Sequence, residues 1–342
     1  MALRQRPGLG GPPRSITPDK ELWRIYGPVR ADLERMERVL SSMARRSGHL
    51  VRPMACHLIR KRGKRIRPAL VLLSALSGRT RGPYLPELAA AIEMLHMASL
   101  VHDDIIDGAS RRRNQVSLHK MWGTHLSVLM GDFLFAKVSW VVSTMFSTEV
   151  MKILMRASQQ LCDGAIEETA MAFHNEITEK RYLEIIDKKT ASLMSAACEC
   201  GAAAACAPPR VVRAMGDYGR AFGMAFQLMD DALDFSGDEE KLGKPVGSDI
   251  MEGKFTMPVL FLRSHLKEGG WDRIARLLTP ESLSNGGARK VIALVKGNGG
   301  IERTLERANM YLEDARNSLA RVPERTRVPL IALAEYASRR TR

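Results

Sequence analysis

Two clusters of aspartates with the same spacing are the residues of this chain best suited to chemistry. Each cluster ends an apolar run with helical periodicity and has the pattern Asp-Asp-x-x-Asp. The six residues are Asp103, Asp104, Asp107, Asp230, Asp231 and Asp234. Positions four apart lie on one face of a helix, so carboxylates crowd there and need a cation to neutralise them. Mg²⁺ is commonly held by one or two carboxylates together with phosphate oxygens of a substrate. Two such clusters facing each other across a cavity could clamp a polyphosphate between metal ions.

Cationic side chains accompany both clusters. Arg112 and Arg113 follow the first one, and arginine binds phosphate oxygens through paired hydrogen bonds. A basic loop at residues 63–68 (Gly-Lys-Arg-Ile-Arg-Pro) leads into a helix, whose first amide groups favour an anion. Lys244 and Lys254 flank the glycine-rich loop after the second cluster. The pattern predicts a site that holds diphosphate.

Polar positions within predicted helices are candidates for the same site. His96 lies two turns before Asp103, and Gln227 lies three residues before Asp230, so each shares a face with an acidic cluster. Lys189 and Thr190 precede small, apolar residues, where a lysine suggests an anionic partner. Simpler interpretations exist for each motif alone: a core histidine, a lysine that extends to solvent, or solvated charged loops. The repetition of the acidic cluster favours the functional interpretation.

Charge and composition limit the classes of function. The 342 residues carry a net charge of +14, and aromatic residues make up 6% of them. Residues 1–30 and 321–342 each have six Lys or Arg against two acids. A basic surface attracts nucleic acid, anionic membranes or anionic substrates. Because no nucleic-acid-binding motif accompanies the charge, we expect no nucleic-acid partner.

Cysteines and termini bear on the compartment. The five cysteines are an odd number without a C-x-x-C pair, which indicates reduced thiols in an intracellular, non-secreted protein. The most apolar stretch, residues 128–146, contains Asp132 and Lys137, so we expect no membrane span there. The first 18 residues contain three arginines and no acid, which fits an organelle transit peptide or a flexible tail. We expect a mitochondrial or other organellar location in a eukaryote and a cytoplasmic one otherwise.

The remaining chain is predicted to be helical. Long Ala-, Leu- and Met-rich segments predict helices at about 19–46, 68–76, 87–107, 124–147, 149–173, 178–206 and 209–236, with more from 255 and a last pair at 301–321 and 323–339. None has the alternation that strands need. We therefore expect a basic, flexible segment over residues 1–19, followed by a single all-α domain of ten or more helices around a central cavity over residues 20–342.

These motifs, in this order, resemble those of the trans-isoprenyl diphosphate synthases. The resemblance extends from about residue 20 to the end and includes Gly131-Asp132 and Gly243-Lys244-Pro245. It departs at Asn114, where the family often has glycine, and at Ala165, where it often has glutamate. The resemblance implies an isoprenoid-synthase helical bundle, up to three Mg²⁺ ions and two substrates, isopentenyl diphosphate and an allylic diphosphate.

The resemblance also implies roles for single residues. Those expected to act directly in catalysis are Asp103, Asp107, Lys189 and Asp230. Those expected to bind the allylic diphosphate are Arg112, Lys189, Thr190, Gln227, Lys244 and Lys254. Those expected to bind isopentenyl diphosphate are Lys64, Arg67, His96 and Arg113. All six aspartates of the two clusters are candidate metal ligands.

Product length is expected to depend on Ala98 and Ser99, about one turn before Asp103. Short-chain members often have a bulky aromatic residue here, so two small residues favour a long product such as the ubiquinone side chain. Alternatives are a geranylgeranyl or farnesyl diphosphate synthase and, more distantly, a terpene cyclase. The resemblance further implies a homodimer, and we expect a peripheral membrane contact for product release.

Overall fold

The computed structural model describes residues 19–60, 63–80, 82–112, 115–236, 246–266 and 270–339. The predictions for residues 1–18, Arg113 and Lys244 lie outside these ranges, as does the side chain of Arg112. The described chain is helical apart from one short hairpin. The all-α prediction is therefore confirmed.

The helices of the first half alternate with short connections. They are α1 (Lys20–Ile25), α2 (Arg30–Arg46), α3 (Val51–Arg60), α4 (Ile66–Ala75), α5 (Leu85–Ile106), α6 (Leu118–Trp122), α7 (Thr124–Met145) and α8 (Thr148–Ala170). A 3₁₀ turn, Gly27–Val29, joins α1 to α2. Strands β1 (Arg111–Arg112) and β2 (Gln115–Val116) pair antiparallel between α5 and α6.

The second half continues the helical architecture. Its helices are α9 (Glu179–Ile186), α10 (Ser192–Ala204), α11 (Pro209–Ser236), α12 (Ser248–Met251), α13 (Met257–His265), α14 (Gly270–Leu277), α15 (Pro280–Ser282), α16 (Ala288–Gly297), α17 (Gly300–Ser318) and α18 (Glu324–Arg339). The described residues of this half also include two π-helical turns, Asp187–Ala191 between α9 and α10 and Leu283–Gly287 after α15.

Helices α4, α5, α10 and α11 form the centre of the molecule. Helix α5 packs on α2, α4 and α7, whereas α10 packs on α4, α8 and α11, and α17 covers α11. Buried apolar side chains from α1 to α18 form one contiguous cluster. The two helices that carry the acidic clusters, α5 and α11, are thus held from several sides by apolar packing.

Two helices differ from the sequence prediction. The helix predicted over residues 19–46 is divided at Gly27-Pro28, because proline lacks an amide donor and its ring obstructs a continuing helix. Asp19 caps the first of the two resulting helices, since its carboxylate accepts hydrogen bonds from the amides of Glu21 and Leu22. Helix α3 was not predicted, although Pro53 at its third position is compatible with a first turn.

Helix α7 is, by length and composition alone, long and apolar enough to cross a membrane. Asp132 and Lys137, the two charges that argue against a span, do not prevent the helix from meeting that criterion. Only 39% of the 18 most apolar consecutive residues of α7 are buried inside the structure. Its outward face is therefore a large exposed apolar surface.

Candidate active site

One cavity of about 820 Å³ lies between the ends of α5 and α11 and the start of α4. Most residues singled out from the sequence line it. They are Lys64, Arg67, His96, Ser99, Asp103, Asp107, Lys189, Thr190, Gln227, Asp230, Asp231 and Lys254. Three others, Ala98, Asp104 and Asp234, are buried and do not line it. The structure thus brings residues separated by up to 190 positions around one volume.

Both acidic clusters occur at the C-terminal ends of their helices. Asp107 is the C-terminal cap of α5, and Asp234 lies two residues before the end of α11. A helix C-terminus already carries partial negative charge, so carboxylates there are unfavourable without a nearby cation. Carboxylates at these positions destabilise the folded chain unless cations bind beside them, so their presence indicates a cation-binding site.

Two lysines supply part of that positive charge. Lys189 Nζ lies 3.6 Å from Asp103 Oδ1, and Lys254 Nζ donates to Asp107 Oδ1 at 2.9 Å. Both also approach Glu168 Oε2, Lys189 by a hydrogen bond and Lys254 at 3.8 Å. The carboxylate of Glu168 therefore lies between the two ammonium groups.

The acidic surroundings keep both lysines protonated. Burial alone would lower the pKa of Lys189, but Glu168 and Asp103 raise it above its ordinary value. Burial would likewise lower the pKa of Lys254, and Glu168, Glu252 and Asp107 raise it instead. Both side chains therefore present positive charge to the cavity at neutral pH.

A glycine allows α8 to approach Lys189 closely. A Cβ at Gly164 would lie 2.6 Å from the backbone nitrogen of Lys189, a distance at which atoms overlap. This contact places the next turn of α8 against the π-helical turn, where Lys188 Nζ donates to Glu167 Oε1 at 2.7 Å. Close approach here sets the distance between Glu168 and Lys189.

The second cluster has its aspartates in three different environments. Asp230 is half-buried and lines the cavity. Asp231 is 1% exposed, and its two oxygens accept hydrogen bonds from Tyr182 Oη and from Gln227 Nε2 at 2.9 Å. Asp234 is fully buried and accepts from Ser248 Oγ at 2.8 Å and from the amide of Asp249 at 3.2 Å.

The same network reaches a further predicted residue. Thr190 Oγ1 donates to Gln227 Oε1 at 2.8 Å, so a chain of hydrogen bonds runs from Thr190 through Gln227 to Asp231. Burial, with the neighbouring charge of Asp249, raises the pKa of Asp231 well above its ordinary value. The role of Asp231 and Asp234 as metal ligands stays a prediction, and in this structure their oxygens hold helices and a loop together.

A cationic group lies at the other end of the cavity. Arg67 Nη1 is 3.1 Å from His96 Nε2, and the backbone oxygen of Lys64 accepts a hydrogen bond from Tyr26 Oη at 3.1 Å. His96 precedes Asp103 by seven residues, which is about 10 Å along a helix. This group is therefore separated from the acidic ends by about two turns of α5.

The donor set fits Mg²⁺ shared with a substrate. Among the described residues, no group of three or more His, Cys, Asp or Glu side chains is arranged to hold a metal ion alone. Asp103, Asp107 and Asp230 nevertheless line one cavity from two helices. Mg²⁺ usually takes only one or two carboxylates and completes its shell with phosphate oxygens and water, so this arrangement suits the ion.

Sequence reasoning missed two residues of the site. Glu168 contacts both lysines, and Tyr182 donates to Asp231. Glu168 lies four residues after Gly164 and three after Ala165, where the chain departs from the family pattern. A single glutamate in a helix does not by itself indicate a functional role. Tyr182 is separated from Asp231 by 49 positions, and nothing in its local sequence indicates that contact.

Comparison with known proteins agrees with this geometry. The family model described as polyprenyl synthetase matches residues 48–294, which is more than half of the chain. The chain belongs to the polyprenyl synthetase family. This confirms the resemblance to trans-isoprenyl diphosphate synthases, and with it the isoprenoid-synthase helical fold and prenyltransferase activity.

Similar members of the family cover nearly the whole chain. Heptaprenyl diphosphate synthase component 2 of Bacillus subtilis is 33% identical over 94% of this chain and 92% of its own. The polyprenyl synthase of Caulobacter crescentus, solved with calcium and isoprenyl diphosphate, is 34% identical, with a TM-score of 0.87 over 94% of this chain and 98% of its own. A decaprenyl diphosphate synthase from Rhodobacter capsulatus is 34% identical, with a TM-score of 0.86 over 94% and 99%.

Proposed function

We propose that this chain condenses isopentenyl diphosphate head-to-tail with an allylic diphosphate and repeats the step to make a long all-trans polyprenyl diphosphate. One observation carries the proposal. Carboxylates at the ends of two helices and two separate cationic groups line the same cavity. Two cationic groups can hold two diphosphates, one beside the carboxylates and one about two helical turns away.

Asp103, Asp107 and Asp230 are the proposed Mg²⁺ ligands, for up to three ions. Bound Mg²⁺ would supply positive charge to the allylic diphosphate as its bond to the prenyl chain breaks. Lys189 and Lys254 add fixed ammonium charge on the same side. Thr190 and Gln227 are joined by a hydrogen bond, and we expect them to orient the allylic diphosphate. Preorganised charges of this kind stabilise the departing diphosphate more than they stabilise the bound substrate.

Lys64, Arg67 and His96 are proposed to hold isopentenyl diphosphate. The arginine fork and the imidazole, 3.1 Å apart, offer donors to the phosphate oxygens. Held there, the double bond of isopentenyl diphosphate attacks the allylic cation that forms when diphosphate leaves. The departing diphosphate then accepts the proton lost from the new chain, which has grown by one isoprene unit.

A long product is supported by small side chains beneath the acidic end of α5. Ser99 lines the cavity and its hydroxyl donates to the backbone oxygen of His96 at 2.9 Å. Ala98 beside it is buried. Neither side chain blocks a growing chain as an aromatic residue would. The hepta- and decaprenyl names of similar proteins support the same proposal, and a quinone side chain is a suitable destination for such a product.

A homodimer is proposed from the exposed face of α7. Leu126, Leu129, Phe133 and Trp140 are between 36% and 65% exposed and lie three, four and seven positions apart. Such spacing makes one apolar stripe along a helix, and exposed apolar stripes mark interfaces. A second copy of the chain is the proposed partner. Because a similar protein is named component 2 of its synthase, a different subunit is the alternative.

The test is direct synthesis with the purified chain. It is incubated with Mg²⁺, isopentenyl diphosphate and either farnesyl or geranylgeranyl diphosphate, and the chain length of the product is measured. Asp103→Asn should abolish condensation. Asp314→Asn, the same change on the exposed face of α17, should leave it unchanged. We expect a ladder of products that ends well beyond the geranylgeranyl chain.

Other outcomes would decide between the alternatives. A product that stops at the farnesyl or geranylgeranyl length would retain the chemistry and refute the long-chain proposal. Cyclic hydrocarbon from the allylic substrate alone would favour a terpene cyclase, which has no use for the second cationic group. No condensation with any primer would refute activity of the chain by itself and direct attention to a partner subunit.

A further inference from the structure

Arg65, between the two proposed anion-binding residues of the basic loop, has an unusual backbone conformation. Its φ and ψ are 53° and 36°, in the left-handed region, at the N-terminal cap of α4. Residues other than glycine are uncommon there, and such conformations persist where surrounding contacts hold them. Lys64 precedes this position and Arg67 follows it by two residues, so the conformation at Arg65 sets the directions of both.

Two carboxylates, one buried and one largely buried, hold Arg65 in this conformation. Its Nε donates to Glu37 Oε1 at 2.7 Å, and its Nη1 donates to Glu93 Oε1. The side chains of Arg65, Glu37 and Glu93 are 9%, 14% and 6% exposed. Glu37 belongs to α2 and Glu93 to α5, so one guanidinium joins the loop to two helices. Arginine suits this task because its planar fork can serve two carboxylates at fixed angles.

The ion pair with Glu93 connects to the proposed substrate contacts. Glu93 lies three residues before His96, which places both on one face of α5 in successive turns. His96 in turn contacts Arg67, 3.1 Å away. The Arg65–Glu93 ion pair and the Arg67–His96 contact therefore attach two residues of the loop to one face of α5, one turn apart. Movement of the loop relative to α5 would disturb both contacts.

Charge gives Arg65 a second effect. Glu37 and Glu93 line the same cavity as Lys64, Arg67 and His96. Carboxylates beside an anion site repel a diphosphate unless they are neutralised. Burial alone would lower the pKa of Arg65, but Glu93 and Glu37 raise it above its ordinary value. Its guanidinium therefore remains charged and neutralises the two carboxylates.

We propose that Arg65, together with Glu37 and Glu93, is a positioning residue for the isopentenyl diphosphate subsite. It orients Lys64 and Arg67 toward the diphosphate and prevents Glu93 from repelling it. Arg65 itself does not touch the substrate. This inference rests on the proposed function, which assigns Lys64, Arg67 and His96 to isopentenyl diphosphate.

Three variants separate the contributions of Arg65. Arg65→Gly suits the left-handed backbone and removes the guanidinium. Arg65→Lys keeps one positive charge and loses the fork. The triple variant Arg65→Met/Glu37→Met/Glu93→Met replaces the whole ion-paired group with apolar side chains, a change that often leaves stability intact. Arg325→Met is the matched control, because Arg325 holds the other end of α4 through the backbone oxygens of Leu76 and Gly78.

The measurements are steady-state KM for each substrate, kcat, binding of isopentenyl diphosphate by calorimetry, and thermal unfolding. Misplacement of substrate-positioning groups by about 1 Å can lower the efficiency of a reaction on the order of 100-fold. We therefore expect Arg65→Gly and the triple variant to raise KM and Kd for isopentenyl diphosphate by about 10- to 100-fold. KM for the allylic substrate should remain within about twofold, and Arg65→Lys should be intermediate. Arg325→Met should leave both KM values unchanged.

Several results would overturn the inference. Wild-type affinity in Arg65→Gly would show that the backbone conformation alone suffices. Equal increases in both KM values, or the same increase in Arg325→Met, would indicate loss of general stability. If the wild-type chain fails to condense its substrates, the proposed function fails, and binding of isopentenyl diphosphate still decides this inference. Absence of that binding in the wild type would overturn both.

Discussion

The adjacent aspartates Asp230 and Asp231 are expected to have separable roles, which Tyr182→Phe and Asp230→Asn can test. Both line the cavity, but Asp230 is half-buried, whereas Asp231 is 1% exposed and accepts a hydrogen bond from the Tyr182 hydroxyl. Tyr182→Phe preserves the ring on α9 and removes only the donor to Asp231. Asp230→Asn preserves shape and removes one proposed metal ligand.

The expected magnitudes follow from burial. Leaving a buried acceptor without its donor costs about 1–3 kcal/mol. With an unfolding entropy of about 2.1 cal/mol/K per residue, a loss of about 2 kcal/mol in this chain lowers Tm by about 3 °C. Activity of Tyr182→Phe should remain within about tenfold of the wild type, since Asp231 retains its hydrogen bond from Gln227. Asp230→Asn should lower kcat/KM by about 10²–10³-fold with little change in Tm.

The assays are thermal unfolding and steady-state condensation kinetics on the same preparations. Tyr218→Phe is the matched control, because Tyr218 is also fully buried and its hydroxyl donates to the backbone oxygen of Leu330 at 2.8 Å, away from the cavity. It should lower Tm by a similar amount and leave kinetics unchanged. The reasoning is refuted if Tyr182→Phe loses as much activity as Asp230→Asn while its Tm is unchanged.

Further predictions concern metal, product length, assembly and thiols. Removal of divalent ions with a chelator should abolish condensation and weaken allylic diphosphate binding, and added Mg²⁺ should restore both, as measured by product formation and calorimetry. Ser99→Phe should shorten the product ladder, because the ring enters the cavity that Ser99 lines; an unchanged ladder would place the end of the product channel elsewhere. Leu129→Lys, on the exposed stripe of α7, should convert a dimer to monomer in sedimentation experiments. Burial raises the pKa of Cys198 to about 12 and also raises that of Cys200, so neither thiol should react with a disulfide reagent at pH 8 until the chain is unfolded.

Long helices were predictable because their pattern is local. The apolar runs that end at Asp107 and Asp234 identified α5 and α11 within a few residues, and both helices are held by extensive packing. The hairpin of β1 and β2 has only two residues in each strand, too few for an alternating pattern to be recognised. The π-helical turn Asp187–Ala191 also lacks a distinct sequence signal, and it interrupts the helix predicted over residues 178–206.

Site residues could be predicted where they belong to the repeated aspartate motif or to a motif that resembles the family. Lys64, Lys189 and Lys254 were selected in this way and all line the cavity. Glu168 and Tyr182 were not selected because their importance arises from contacts between distant helices. Such contacts depend on which helices pack together, and no local spacing contains that information.

The two Asp-Asp-x-x-Asp motifs show how far identical spacing determines geometry. In both, the first aspartate lines the cavity and the second is buried at 6% or 1% exposure, since adjacent helical positions point about 100° apart. The fifth positions differ. Asp107 lines the cavity at the cap of α5, whereas Asp234 binds Ser248 and the amide of Asp249 and so anchors the segment that leads to Lys254. The first motif therefore offers Asp103 and Asp107 to the cavity, whereas the second offers Asp230 and Asp231 and uses Asp234 to position a lysine. Substitution of Asp107 should accordingly weaken metal binding directly, while substitution of Asp234 should act through Lys254 and weaken allylic diphosphate binding even without metal.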